Sequence, residues 1–362
     1  MHIHQTIAAA TLAADVAAAA RFAMYYDQWH TATPSKAVTT GITHVVTAFA
    51  GTTLFNSDPP QAYTPFVDVA TLRSQFPDDV KVCMAIGGWG DTAGFSVGQK
   101  DETSRKLYAK GVATTLENLG YDCVDVDWEY PGGNGADYKE TPNQDKVDEI
   151  TGYAQLLKEI KSAIGDKELS IAVPGLERDM IAFTPEQVPL INEAVDVINV
   201  MTYDLMNRRD NTTTHHTSVK ASLKTVDKYL DLGFEAAKMN LGFAFYAKFF
   251  QTQGECTEPI GCETIILENP DGTDAGVSGA ITFKENPEVL PQGQADTEEG
   301  GQWYWEASKS YFWTWDTPDF VAQKFEEIVK ARGLGGVMAW SLGEDSADLT
   351  YLKALQTGLA TL

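Results

Sequence analysis

From Arg21 onward the chain alternates between two hydrophobic periods. Short apolar runs of strand length recur at residues 21–26, 43–49, 81–87, 122–129, 169–174, 197–203, 239–245 and 335–340. Between them lie stretches with apolar residues three and four apart, the spacing of one helix face. Residues 104–119 form one such stretch. Residues 147–164 form another, through Ile150, Tyr153, Leu156, Leu157 and Ile160. Thr184-Pro185-Glu186 and Thr317-Pro318-Asp319 read as helix starts, with Thr as the cap and Pro in the first turn. Gly120, Gly233 and Gly333 read as helix ends. Eight strand–helix units predict an α/β fold, a (β/α)8 TIM barrel over residues 21–362. The alternative, an open doubly wound sheet, lacks its usual mark, because no GxGxxG turn follows an early strand.

The rhythm breaks once. Residues 249–310 carry many Gly, Pro, Asp and Glu, with short β-like runs and no helix of full length. So long a gap exceeds an ordinary loop. It predicts a small α+β insertion subdomain between strands seven and eight, on the C-terminal face where barrel sites sit. Cys256 and Cys262 fall inside it, close enough for a local disulfide if the chain is secreted. Cys83 and Cys123 sit on the third and fourth strands, both facing the barrel interior by alternation. They are expected as two buried free thiols, acting as small apolar filler.

Charge narrows the choice of ligand. The 27 Lys and Arg against 51 Asp and Glu leave a net charge of −24 over 362 residues. Such a chain repels phosphate backbones and anionic lipid, which argues against nucleic-acid and membrane-surface partners. No apolar run is long enough to span a bilayer. Six His and four Cys, with no CxxC and no HExxH, give little support for a zinc site. Asn211-Thr212-Thr213 is a glycosylation sequon, and the following His215 and His216 are expected as a solvated loop pair. Residues 1–20 end in small apolar residues like a secretory leader, although no Lys or Arg stands near Met1 and Asp15 interrupts the apolar stretch. An extracellular location is the expectation.

The chemistry concentrates in the run from Asp122 to Tyr130, DCVDVDWEY. Asp125, Asp127 and Glu129 are spaced by two, so a strand points all three into the barrel while Val124, Val126 and Trp128 face the helices. Three like charges in a confined interior must share protons or neutralise a ligand. One reading is a cage for a divalent ion. The other is acid catalysis, with crowding holding one carboxyl protonated. Glu129 comes last, at the C-terminal end of the strand, where a catalytic barrel residue belongs. Asp127 and Glu129 stand about 6.5–7 Å apart at Cα on one strand face. Two such groups do not easily flank a sugar as acid and nucleophile. In a glycosidase, the substrate's own 2-acetamido group could then be the nucleophile. Asp122, near the strand start, fits a structural role.

DCVDVDWEYP also resembles the DxxDxDxE signature of the family-18 glycoside hydrolases, the chitinases. THVVTAFA at 43–50, AIGGWG at 85–90, VMTYD at 200–204 and GVMAWSLG at 336–343 resemble that family's second-strand, SxGG, strand-six and strand-eight motifs. Residues 249–310 resemble its chitinase insertion domain. The resemblance implies retaining, substrate-assisted hydrolysis of β-1,4-linked N-acetylglucosamine polymers and oligomers. It implies no metal or other cofactor. Chitin or a chito-oligosaccharide would be the partner, and the enzyme a monomer.

The same resemblance assigns roles. Glu129 would be the general acid and base. Asp127 would orient the acetamido group, and Asp125 would share a proton with Asp127. Tyr203 would donate to the acetamido oxygen. Asp204 would contact the same sugar and tune the acid. Met201 would line the pocket and Trp340 would form its floor. Tyr26, Trp29, Phe49, Trp89, Tyr130, Phe243 and Tyr246 fall at or just after strand ends as candidate sugar platforms. Among Trp303, Tyr304, Trp305, Tyr311, Phe312, Trp313 and Trp315, one or two are expected in the cleft. The family's SxGG serine is Ala85 here, so Asp125 needs another partner, with Cys83, Cys123 or a water as candidates. Two other readings stay open. A catalytically dead carbohydrate-binding barrel is disfavoured by the presence of Glu129 with both aspartates. An endo-acting glycosidase on N-glycans is disfavoured by the insertion and Trp340.

Overall fold

The computed structural model describes residues 20–362, so the leader expected at residues 1–20 lies outside them apart from its last residue. Seven parallel strands come first: β1 (Arg21–Asp27), β2 (His44–Ala50), β3 (Lys81–Gly87), β4 (Cys123–Asp127), β5 (Glu168–Val173), β6 (Val197–Val200) and β7 (Met239–Ala244). Five antiparallel strands follow: β8 (Tyr246–Gln251), β9 (Ser278–Thr282), β10 (Gln294–Asp296), β11 (Gly301–Glu306) and β12 (Tyr311–Trp315). β13 (Gly336–Trp340) then closes the barrel, in the order β1-β13-β7-β6-β5-β4-β3-β2. The inserted strands form a separate sheet in the order β10-β11-β12-β8-β9. β4 and β6 stop short of the apolar runs that predict them. The chain leaves the ladder there at the C-terminal face, with Glu129 two residues past β4 and Asp204 four past β6.

The helices are α1 (Val69–Ser74), α2 (Ala93–Gly98), α3 (Glu102–Leu119), α4 (Val147–Ile164), α5 (Val188–Ala194), α6 (Val219–Asp231), α7 (Pro318–Lys324) and α8 (Thr350–Leu359). α3 starts where the Asp101 carboxylate accepts the Ser104 amide at 2.8 Å, and it ends at Gly120 in the left-handed region. Thr317 caps α7 as its sequence suggests. Thr184 does not cap α5. It closes a turn around Pro185, and the helix begins only at Val188. Among the described residues no helix is long and apolar enough to cross a membrane.

Strand alternation builds two cores. Ala23, Tyr25, Val46, Ala48 and Ala85 point into the barrel. Their neighbours Phe22, Met24, Val45, Val124 and Val126 point outward under the helices. Trp128 joins that outer core and stacks on Phe95 at 5.2 Å between ring centroids. Burying a large apolar side chain stabilises by about 1.5–3 kcal/mol, so the outer layer fixes which face of β4 turns inward.

The expectation of two free thiols is corrected. Cys83 and Cys123 are in-register partners on β3 and β4, with Cα atoms 4.4 Å apart, and they form a disulfide inside the barrel. Both side chains do point inward, but register also sets them face to face. Cys256 and Cys262 form the second disulfide. A buried ion pair, Lys324 with Asp316 at 2.6 Å, ties the end of the inserted sheet to α7, and both groups also reach the Thr217 hydroxyl.

Candidate active site

A cavity of about 710 Å³ opens at the C-terminal ends of the barrel strands. Asp127 and Glu129 line it, with Asp125 one layer below. Glycine is required beside them. Gly87 pairs with Asp127, has φ +105°, and a Cβ there would meet the Asp127 carbonyl oxygen at 2.2 Å. Gly88 then donates its amide to that carbonyl at 2.9 Å, fixing the backbone from which the carboxylates project.

Asp125 is fully buried and well satisfied. Its Oδ2 accepts from the Tyr25 hydroxyl at 2.8 Å, and its Oδ1 from Ser170 Oγ at 2.5 Å and Asn199 Nδ2 at 3.2 Å. Asn199 is held in turn by Asn240, and Asn240 by Arg21, so a polar ladder crosses the barrel interior. The hydroxyl missing at Ala85 is therefore not replaced by a cysteine. Asp125 has Ala85 as its register partner on β3 and Ser170 as its partner on β5, and the second supplies the hydroxyl.

Protonation follows from burial. Asp125 is pushed up by burial, against the pull of its three donors. Asp127 is pushed well above the carboxylate range by burial and by the charges of Glu129 and Asp125, and its Oδ1 is buried without a partner. Glu129 is raised to about 7, first by burial and then by Asp204 and Asp179, while Tyr130 pulls it back. Asp204 behaves in the opposite way. Burial raises it, but Lys248 at 3.0 Å and the nearby His216 hold it below the usual range. One site thus holds a carboxyl that keeps its proton near neutrality and a carboxylate that does not, the division acid–base chemistry needs.

Aromatic residues form the opposite wall. Trp340 ends β13, four places from β4 around the eight-strand ring and so diametrically across from it. Phe49 stacks on Trp340 at 5.6 Å, and Tyr25 sits 5.7 Å away. Tyr203 and Met201 line the same cavity. Among the described residues, the Tyr203 hydroxyl reaches only the Met338 sulfur, 3.8 Å away. Tyr246 donates to Asp204 Oδ1 at 2.9 Å. Trp89, 47% exposed, meets Tyr130 edge-on at the rim.

Several expectations fail for reasons of parity or distance in sequence. Tyr26 is not a platform. It lies on the outer face of β1, packs against Phe66 and donates to the Thr31 carbonyl, and its inward neighbour Tyr25 lines the cavity instead. Phe243 likewise faces outward and stacks on Phe325. None of the seven aromatics from Trp303 to Trp315 lines the cavity. Trp303 and Phe312 pack with Phe250 within the insertion, and Trp313 and Trp315 join the outer core. The insertion lines the cavity through Lys248, Phe250 and the segment around Gly279. His215 and His216 are not solvated. Both are buried, His215 between Thr314 and Asp296 and His216 behind Asp204.

Trp29 lies at the cavity, as its strand-end place suggests, whereas sequence reasoning missed Arg208 and Arg209. Trp29 is 63% exposed beside the cavity. The two arginines lie over the Trp89 ring at 5.9 and 5.5 Å. Two adjacent arginines just after the VMTYD motif were the available signal. Asp122 is structural, accepting from Arg73 and the Val82 amide. Among the described residues the group spaced for a cation is Asp27, His30 and Glu344, not the β4 carboxylates. Asp27 is already occupied there by the Trp29 and His30 amides and the Ser341 hydroxyl.

Known proteins share this architecture. Chitinase 1 of Aphanocladium album is 25% identical over 378 residues, covering 92% of this chain and 85% of its own. Sporulation-specific chitinase 2 of Saccharomyces cerevisiae is 26% identical over 315 residues, covering 77% of this chain. This chain spans 58% of the yeast protein's length and 62% of Endochitinase 1 from Metarhizium robertsii. Catalytic domain 2 of the Ostrinia furnacalis Group II chitinase superposes with a TM-score of 0.77 at 24% identity, covering 95% of this chain and 97% of that one. The profile of the glycosyl hydrolases family 18 matches residues 21–345, the whole barrel with its inserted sheet. A match of that extent is membership: the chain belongs to the glycosyl hydrolases family 18.

Proposed function

We propose that this protein is a chitinase that hydrolyses β-1,4-linked N-acetylglucosamine chains with retention, using the substrate's acetamido group as nucleophile. The observation that carries the reading is the placement of Asp127, at the end of β4, and Glu129, two residues beyond it, in one cavity across from an aromatic wall. A sugar lying on Trp340 would meet both carboxyls from one side. The wall on its far side, Trp340 with Phe49 and Tyr25, offers aromatic rings and not a carboxylate nucleophile. Glu129, protonated up to about pH 7, gives its proton to the glycosidic oxygen. Asp127, neutral and unpartnered at Oδ1, accepts the acetamido N–H and holds the carbonyl for attack. Asp125 passes charge to Asp127 through a shared proton, and the Tyr203 hydroxyl donates to the acetamido oxygen. Water activated by Glu129 then opens the ring intermediate. The relatives named as chitinases support the substrate class. The pairing of all four cysteines supports an oxidising, extracellular location.

The test is hydrolysis of soluble chitin oligomers. Glu129→Gln is expected to lose about 10²–10⁴-fold in kcat, and oligomers stripped of N-acetyl groups are expected to resist cleavage. A loss of only a few-fold overturns the assignment of Glu129. Equal cleavage of deacetylated chains overturns the acetamido nucleophile.

A further inference from the structure

Asp204 stands in the left-handed region, at φ +55°, directly after the VMTYD tyrosine. Three groups converge on its Oδ1: the Tyr246 hydroxyl at 2.9 Å, Lys248 Nζ at 3.0 Å and His216 Nδ1 at 3.8 Å. The first two come from β8, at the start of the insertion. The third comes from the segment leading into α6. That segment is pinned beside Asp204, because the Leu205 amide donates to the His216 carbonyl at 2.9 Å.

His216 is the unexplained member. Its ring is fully buried against Tyr246, with centroids 5.4 Å apart, and neither nitrogen has a hydrogen-bond partner. Buried polar groups are seldom left unpaired without a reason. A hydrophobic ring would fill this space without that cost. The other charged groups facing it are Lys248, which is committed to Asp204, and Asp316, which is held by Lys324 and Thr217. The nearest free acceptor is Asp204 itself. Active-site hydrogen bonds are often long in the free enzyme and tighten around substrate.

We infer that His216 is a positioning residue: its Nδ1–H closes onto Asp204 Oδ1 when sugar is bound, leaving Oδ2 turned to the cleft. The inference rests on the proposed glycosidase reading, in which Asp204 contacts the sugar beside Glu129. In this state Asp204 is held by a phenol, an ammonium and an imidazole at one oxygen. It cannot rotate away as charge develops on the sugar. Losing one of the three also makes its ionised form easier to protonate.

The test compares His216→Phe, which keeps the stack on Tyr246 without either nitrogen, with His216→Asn, which keeps a donor. On a chitin tetramer, His216→Phe is expected to lower kcat about tenfold, the scale of one hydrogen bond to a charged group. KM should move much less. The acid limb of the kcat profile should shift to higher pH, and His216→Asn should recover part of both effects. A drop in Tm with kcat and the acid limb unmoved makes His216 merely structural and overturns the inference. A second measurement does not depend on either variant folding. In the Glu129→Gln protein, the His216 imidazole ¹⁵N resonance is expected to shift to that of a hydrogen-bonded donor when tetramer is added. No shift with tetramer bound also overturns it. Absence of tetramer cleavage by the wild type counts against the glycosidase reading, whereas intact cleavage with unmoved profiles counts against His216 alone.

Discussion

The raised Glu129 carboxyl makes a quantitative demand on the pH–rate profile. Its ordinary value of 4.5 moves to about 7, and each unit of displacement corresponds to about 1.4 kcal/mol, so ionising Glu129 in the site costs about 3 kcal/mol more than in water. Burial is the main cause, with Asp204 and Asp179 adding to it. A general acid works only while protonated. The alkaline limb of kcat/KM on a chitin oligomer should therefore bend near pH 7 and fall about tenfold per unit above it. Asp204→Asn removes a charge that favours the protonated form, so the limb should move to lower pH. The same displacement acts on stability. The folded state binds the proton more tightly than the unfolded chain, so this group's contribution is fully present below pH 4.5 and is lost as pH rises through about 7. The assay is steady-state hydrolysis from pH 4 to 9, with urea unfolding at the same pH values. A limb near 4.5, or a rate that stays flat to pH 9, refutes the claim that burial sets the acid.

Other expectations are simpler to state. Removing the Cys83–Cys123 disulfide, which closes a separation of 40 residues, should cost about 4 kcal/mol, against about 2 for Cys256–Cys262 with its separation of 6. Urea unfolding of the two double Ala variants checks the order. Glu168, held near 2 by His44 and Lys81 against its burial, stabilises the fold above pH 4.5, and that benefit is lost as pH falls through about 2. Glu168→Gln should thus lower stability by about 1–3 kcal/mol at pH 7 and match the wild type in strong acid. Ser170→Ala leaves Asp125 without its closest donor. It should lower kcat, whereas Ala85→Ser should change the pH profile little.

How far the sequence carries depends on whether a feature is local. The eight strands, the two long helices and the inward face of β4 follow from periods of two and 3.6, and one segment contains each of them. Asp127 and Glu129 needed nothing more, because alternation places them and the strand end exposes them. Tyr25 was legible by the same rule. It shares parity with Ala23, and Tyr26 shares parity with Phe22 and Met24 in the outer core. Choosing Tyr26 was an error of face, not a limit of the sequence.

Register carried what alternation could not. Cys83 and Cys123 were known to face inward, but a bond requires them to be opposite each other, and that is set by the pairing register of β3 with β4. Ser170 and Ala85 flank Asp125 from two strands and stand 85 positions apart in the chain, so a hydroxyl lost on one side returns on the other without any local sign. The histidines are the extreme case. A polar run such as Asn211 to Ser218 looks solvated because the groups that bury it come from elsewhere: Thr314 and Asp296 hydrogen-bond His215, and Asp204 and Tyr246 stand against His216. Three of those groups, Thr314, Asp296 and Tyr246, arrive only with the inserted sheet. The insertion that looked like an addition to the catalytic unit supplies Tyr246 and Lys248, two of the three groups that hold Asp204. The electrostatics of the cleft therefore depend on the inserted sheet as well as on the barrel strand that carries the acid.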